Sequence, residues 1–227
     1  MIRPKISKEE VNLLPVILFD GKITIVDDPE NVQQAIDELR KCRRIGIDTE
    51  TKPSFTRGTF HKVSLLQLST LDHCFLFRLN KIGFPMPLAD LMADVKIAKI
   101  GLSLRDDIAA LNKHLPLKPG NFIDIQTIAK NYGILELSLQ KIYAILFGKK
   151  ISKAQRLTNW ENDDLSEQQI RYAATDAWAS LQIYLQLLKE KKLSKKQIEK
   201  IVLDNMPEQA INNSLTISDH KTELINE

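Results

Sequence analysis

The residues that invite a chemical reading are acids at positions that should be apolar. In Ile45-Gly46-Ile47-Asp48-Thr49-Glu50, the alternation of a strand sends Asp48 and Glu50 to the same side, next to each other. Two carboxylates so placed repel, and one is forced neutral unless a cation joins them. Oxygen ligands of this kind suit Mg²⁺ or Mn²⁺. The pair alone is also what a surface strand shows, so its weight depends on what accompanies it.

The second acid lies on a long helix read from Glu167 to Leu188. Leu165-Ser166-Glu167-Gln168-Gln169-Ile170 carries a capping residue, a capping-box glutamine and a hydrophobic staple. Advancing 100° per residue places Arg171, Thr175, Gln182, Gln186 and Lys189 on one polar stripe. Asp176 falls within the apolar arc formed by Ala173, Ala177, Ser180 and Ile183. Tyr172 stands one turn earlier on that side. A buried carboxylate must be paired, protonated or bound to metal. On a third element, Leu104, Ile108 and Leu111 form an apolar stripe that includes Asp107 and leaves out Arg105 and Asp106. Three elements that each turn acid inward match the needs of a two-metal phosphodiesterase, in which carboxylates hold two cations about 4 Å apart. His61, His73, His114 and His220 show no zinc spacing, and no glycine-rich phosphate loop is present.

These acids require a sheet with helices against it. Strands are expected at Lys22–Val26, Ile45–Glu50, Val63–Ser69, Cys74–Phe77 and Ile97–Ile100. Helices are expected from Asp28 to Lys41 and at Leu88–Ala93, Leu104–His114, Ile125–Tyr132, Leu137–Phe147 and Glu167–Leu188. The class is α/β. Residues 1–21 are read as an extended leader and 22–189 as the domain. Residues 190–227 are read as a basic helix, with Lys191, Lys192, Lys195, Lys196 and Lys200, followed by a flexible tail. With 227 residues, 43% of them hydrophobic, the chain can bury a core. A net charge of +3 neither demands nor opposes a nucleic-acid partner. Cys42 and Cys74 form no metal or disulfide pattern. No run is long enough to span a membrane, and no signal core precedes the domain. The expectation is therefore an intracellular protein, cytoplasmic if bacterial, and no membrane partner.

Gly46 to Glu50, Lys99-Ile100-Gly101 through Asp107, and Tyr172-Ala173-Ala174-Thr175-Asp176 resemble the three motifs of the 3′–5′ exonuclease superfamily named for its Asp-Glu-Asp-Asp quartet. Tyrosine four residues before the last Asp marks its tyrosine subgroup. Lys153-Ala154-Gln155-Arg156-Leu157-Thr158-Asn159-Trp160 is similar to the Werner-syndrome exonuclease domain and, more loosely, to ribonuclease D. Val63 to Thr70 fits as well, and the resemblance covers roughly residues 22 to 188.

The resemblance implies a ribonuclease-H-like fold with a mixed five-stranded sheet flanked by helices. It implies that Asp48, Glu50, Asp107 and Asp176 hold two divalent cations and that Tyr172 orients the attacking water. It implies hydrolysis at a free 3′ end that releases nucleoside 5′-monophosphates, with DNA favoured over RNA and the domain acting alone. Lys52, Arg57, Lys62, Lys153 and Arg156 are candidate phosphate contacts. Leu66 and Gln67 are candidates for lining the terminal-nucleotide pocket, and Trp160 is expected to pack rather than to stack on a base.

Overall fold

The structure, a computed structural model, describes residues 2–54, 56, 61–116 and 118–206. Its strands are β1 (Val16–Ile17), β2 (Lys22–Val26), β3 (Arg44–Thr51), β4 (Val63–Ser69), β5 (His73–Phe77), β6 (Ala98–Gly101), β7 (Phe122–Asp124) and β8 (Lys150–Ile151). Its α-helices are α1 (Lys8–Leu13), α2 (Val32–Leu39), α3 (Leu79–Ile82), α4 (Met86–Ala93) and α5 (Leu104–Leu111). They continue with α6 (Ile125–Ala129), α7 (Leu139–Phe147), α8 (Glu167–Leu187) and α9 (Lys195–Asp204).

Six strands form the main sheet in the order β2-β5-β4-β3-β6-β7. It is mixed: β4 runs antiparallel to both neighbours, while the β2–β5, β3–β6 and β6–β7 pairs are parallel. The sheet thus has one strand more than the five expected. The addition is β7, three residues long and directly followed by α6, too short to show an alternation. The segment before β2 also departs from an extended leader. Ser7 and Glu10 build a complete capping box at the start of α1. Further on, β1 pairs with β8, and the Phe19 amide donates to Thr175 Oγ1 at 3.0 Å.

Two cores sandwich the sheet, and period two decides which residue enters which. Ile45 and Ile47 of β3, with Leu66 and Leu68 of β4, join α2, α4 and α5 on one face. Leu65 of β4 and Cys74 and Leu76 of β5 join α6, α7 and α8 on the other. A β-carbon on Gly46 would lie 1.9 Å from the Ala177 carbonyl oxygen. Only glycine lets α8 lie this close to β3, which brings Asp176, next to Ala177, down onto the strand. The capping box expected at Ser166 and Gln169 is present at the start of α8. Among the described residues, no helix is long and apolar enough to cross a membrane.

Candidate active site

Gly46, Asp48 and Glu50 share the face of β3 that α8 covers. Asp48, Glu50 and Asp176 meet there, each offering an oxygen within 4.8 Å of the others. Glu50 and Asp176 are each only 8% exposed. Burial raises the Asp48 carboxyl well above its usual range, and the neighbouring Asp176, Glu50 and Asp107 charges add to the rise. Burial and the charges of Asp176 and Asp107 push Glu50 up to about 9, with Arg156 opposing. Burial lifts Asp176 to about 7, against the pull of the Tyr172 hydroxyl and the Lys153 ammonium. Asp176 Oδ1 is buried without a hydrogen-bond partner. Hard oxygens, mutual repulsion and an unpartnered carboxylate oxygen all fit a divalent cation.

Asp107 arrives differently. Strand β6 ends at Gly101, and Ser103 turns the chain with a left-handed φ of 62°. Asp124 then receives the Ser103 amide at 3.2 Å and the Leu104 amide at 2.9 Å, fixing the start of α5. Helix α5 packs on the face of the sheet away from α8. Asp107 therefore reaches the cleft beyond the end of β6, beside the stretch of β3 that runs on past it, where Thr49 donates a short hydrogen bond to Asp107 Oδ1. Burial raises Asp107 to about 6, opposed by that bond. It lies in the cleft but outside the three-acid cluster. Asp106 also reaches the cleft rim, but it is exposed and bonded by Arg105 at 3.3 Å.

Tyr172 stands on α8 one turn before Asp176 and lines the same cleft of about 480 Å³. Burial and the acids around it push its phenol above the usual range. The hydroxyl therefore keeps its proton and can donate or accept a hydrogen bond but is a poor base. Trp160 is fully buried, with its ring 6.0 Å from that of Tyr172. It packs behind the tyrosine, as expected.

The structure sorts the remaining candidates. Lys153 and Arg156 line the cleft. Lys52 does not; its Nζ pairs with Glu161 at 3.2 Å. Lys62 is exposed and does not line the cleft. Arg57 lies outside the described residues. Leu66 and Gln67 do not line the cleft, which corrects the sequence expectation. Neighbours on a strand face opposite ways, and Leu66 belongs to the core under α5. Gln67 is the cross-strand partner of Asp48, yet it is fully buried and neither amide atom has a partner.

Sequence reasoning missed Thr49 and Asp124. Thr49 sits between the two motif acids on the opposite strand face, so nothing in the alternation marks it. Asp124 had a local signal, a cap accepting from the Gln126 amide at 2.8 Å, but its grip on the start of α5 depends on β7 pairing beside β6.

A family described as 3′–5′ exonuclease matches residues 23–192. A "3′-5′ exonuclease" of Arabidopsis thaliana is 29% identical over 195 residues, covering 79% of this chain and 68% of the plant protein. The "Bifunctional 3′-5′ exonuclease/ATP-dependent helicase WRN" of Mus musculus is 32% identical over 149 residues, or 63% of this chain and 11% of that protein. Ribonuclease D of Haemophilus influenzae is 29% identical over 212 residues, 88% of this chain and 52% of that one. Among solved structures, the Aedes aegypti Nibbler EXO domain superposes with a TM-score of 0.68 at 22% identity. The match covers 88% of this chain and 98% of that domain. It establishes a shared fold, the ribonuclease-H-like one.

Proposed function

Because the chain belongs to the 3′–5′ exonuclease family, we propose that its cleft hydrolyses the 3′-terminal phosphodiester of DNA and releases nucleoside 5′-monophosphates. The observation that carries this reading is the meeting of Asp48, Glu50 and Asp176 within 4.8 Å, at one end of a cleft that Tyr172, Lys153 and Arg156 also line. Two divalent cations, Mg²⁺ or Mn²⁺, held by these carboxylates and by Asp107, would supply an activated water and offset charge on the leaving 3′ oxygen.

The chain's own residues then divide the remaining work. Tyr172 keeps its proton and orients the attacking water through its hydroxyl. Lys153 and Arg156 place positive charge where the scissile phosphate and its neighbour enter. Thr49 braces one oxygen of the Asp107 carboxylate, and Gly46 lets Asp176 close on Asp48. Support for DNA comes from the Lys153–Trp160 segment and its likeness to the Werner-type domain, in line with the 32% identity to the mouse bifunctional protein. A second reading, RNA trimming, is favoured by the ribonuclease D relative, which aligns along 88% of the chain.

The test uses 5′-labelled single-stranded DNA, recessed-3′ duplex and RNA of matched sequence, with Mg²⁺, Mn²⁺ or EDTA. A metal-dependent ladder shortening from the 3′ end, faster on DNA, is expected. Faster shortening of RNA would replace the DNA reading, and no shortening of any substrate would overturn both. In the same assay Tyr172→Phe slows turnover about a hundredfold while the thermal shift produced by Mg²⁺ persists.

A further inference from the structure

Residues 189–204 hold six lysines against three acids. That surplus of three equals the net charge of the whole chain, +3, so the remaining charges cancel. The stretch is not a loose end. Ser194 and Gln197 form a complete capping box at the start of α9. The half-buried Leu193 and Ile201 rest on Gly133, where an added β-carbon would meet them at 2.9 and 3.0 Å. Among the described residues, Lys191, Lys192, Lys196 and Lys200 pair with no carboxylate, and Lys195 has only Glu199 at 4.0 Å. Ile201 thus seats one side of α9 on Gly133, while the lysines stay in solvent.

Both ends of α9 are tied to segments that leave the rim of the catalytic cleft. At its start, the Leu193 amide donates to the Asn131 carbonyl at 2.9 Å. Asn131 follows closely on Gln126, which lines the cleft. At its end, Lys5 Nζ donates to the Asn205 carbonyl at 2.8 Å. The neighbouring Pro4 carbonyl accepts the Leu135 amide at 2.8 Å, and Leu137, just beyond, lines the cleft again. Exposed Lys130 lies in the chain between Gln126 and Asn131.

We propose that α9 and the lysines before it form a phosphate-binding track for the nucleic-acid strand 5′ of the residues held in the cleft. The proposal rests on the exonuclease reading. The partner is a sugar–phosphate backbone read by charge alone, so DNA and RNA are held alike at this track. At about 15 Å, the helix spans several phosphates. Lysines that hold them displace condensed counterions, so binding weakens steeply with salt. The track raises affinity for long strands without touching the reacting atoms.

The experiment uses the full chain with Lys191, Lys192, Lys195, Lys196 and Lys200 all changed to Gln, and a matched variant with all five changed to Arg. Binding of 30-nucleotide DNA and RNA is followed by fluorescence anisotropy in EDTA across a KCl series. Hydrolysis of 30-mers and 6-mers is followed in Mg²⁺. The Gln variant should flatten the slope of log Kd against log salt by about 2, at roughly 0.7 per lost phosphate contact. Its KM should rise about tenfold for 30-mers and little for 6-mers, with kcat unchanged and the circular-dichroism melt retained. The Arg variant should behave as the parent. An unchanged slope, or equal loss in the Gln and Arg variants, would overturn the track. Failure of the exonuclease reading shows separately, as absent hydrolysis of the 6-mer by the parent chain.

Discussion

Helix α8 delivers Asp176 by lying flat on β3 over Gly46, whereas α5 delivers Asp107 from the opposite face of the sheet, beside the stretch of β3 that runs on past the end of β6. The first arrangement is made of core. Ala173, Ala177 and Ile183 of α8 are fully buried, and the helix spans 21 residues. The second is made of polar contacts: an eight-residue helix, a left-handed turn at Ser103, two amides on Asp124 and one hydroxyl on Asp107. Close packing fixes a carboxylate rigidly but strips it of solvent, which is why Asp176 retains an unpartnered oxygen. A hydrogen-bonded approach leaves the acid adjustable and partly satisfied, and the Thr49 bond opposes the rise that burial gives Asp107. A site that must take up and release cations and product can use one fixed wall and one that gives.

The harshest way to break the fixed wall is Gly46→Ala. Its β-carbon meets backbone at 1.9 Å, so the helix itself must move. Overpacking of this kind costs about 1–3 kcal/mol and sometimes more. Urea unfolding should show a loss at or above the top of that range, with activity abolished. A variant of parental stability would mean that α8 is not seated as tightly as described.

Asp176→Asn and Asp107→Asn separate the two walls without disturbing the fold. Both should lower kcat about a thousandfold or more. The Asp176 variant should also lose most of the Mg²⁺-induced rise in Tm, while the Asp107 variant keeps most of it, because only Asp176 belongs to the three-acid cluster. Equal loss in both would show a single four-acid unit instead.

A pH series without metal sharpens the same contrast. The folded-state carboxyls are raised, Asp176 to about 7 and Glu50 to about 9, above the values near 4 of an unfolded chain. Folding therefore takes up protons between those limits. Stability should be greatest near pH 4 and fall as pH rises to 9, by on the order of a few kcal/mol. Added Mg²⁺ should reverse the fall, with its Tm shift growing with pH. A metal-free Tm that rises across this window would contradict the burial of the cluster.

The mildest change is Thr49→Val, which keeps the shape and removes the donor to Asp107. A loss of about 1 kcal/mol in stability and about tenfold in kcat is expected, with the Mg²⁺ thermal shift intact. A cut in kcat as deep as that of Asp107→Asn would make Thr49 more than a brace.

Most of the strands and helices were legible because their burial is one-sided, and one-sided burial leaves a period in the sequence. Val63–Ser69 was read to the residue. The start of α8 followed from its capping box. Strand β7, the β1–β8 pair and α3 were not legible, since two to four residues are too few for a period to appear. The six-residue α1 did carry a signal, the Ser7–Glu10 capping box. Leu66 and Gln67 are successive residues of β4, so alternation bars both from facing one cleft, and both are fully buried.

By itself, the sequence determined which acids turn inward, because a helix or strand face is set by local periodicity alone. It chose Asp107 over Asp106 in this way and turned Asp176 inward as well, while for Asp48 and Glu50 it set only that they share one side of their strand. Only the tertiary structure decided that three of them form one cluster while the fourth hangs on Thr49. It also decided that Lys153 and Arg156 reach the cleft while Lys52 turns to Glu161. Those outcomes depend on how closely α8 approaches β3, where α5 starts after Ser103, and how loops fold back. They are distances between elements far apart in the chain, and no periodicity within one element encodes them.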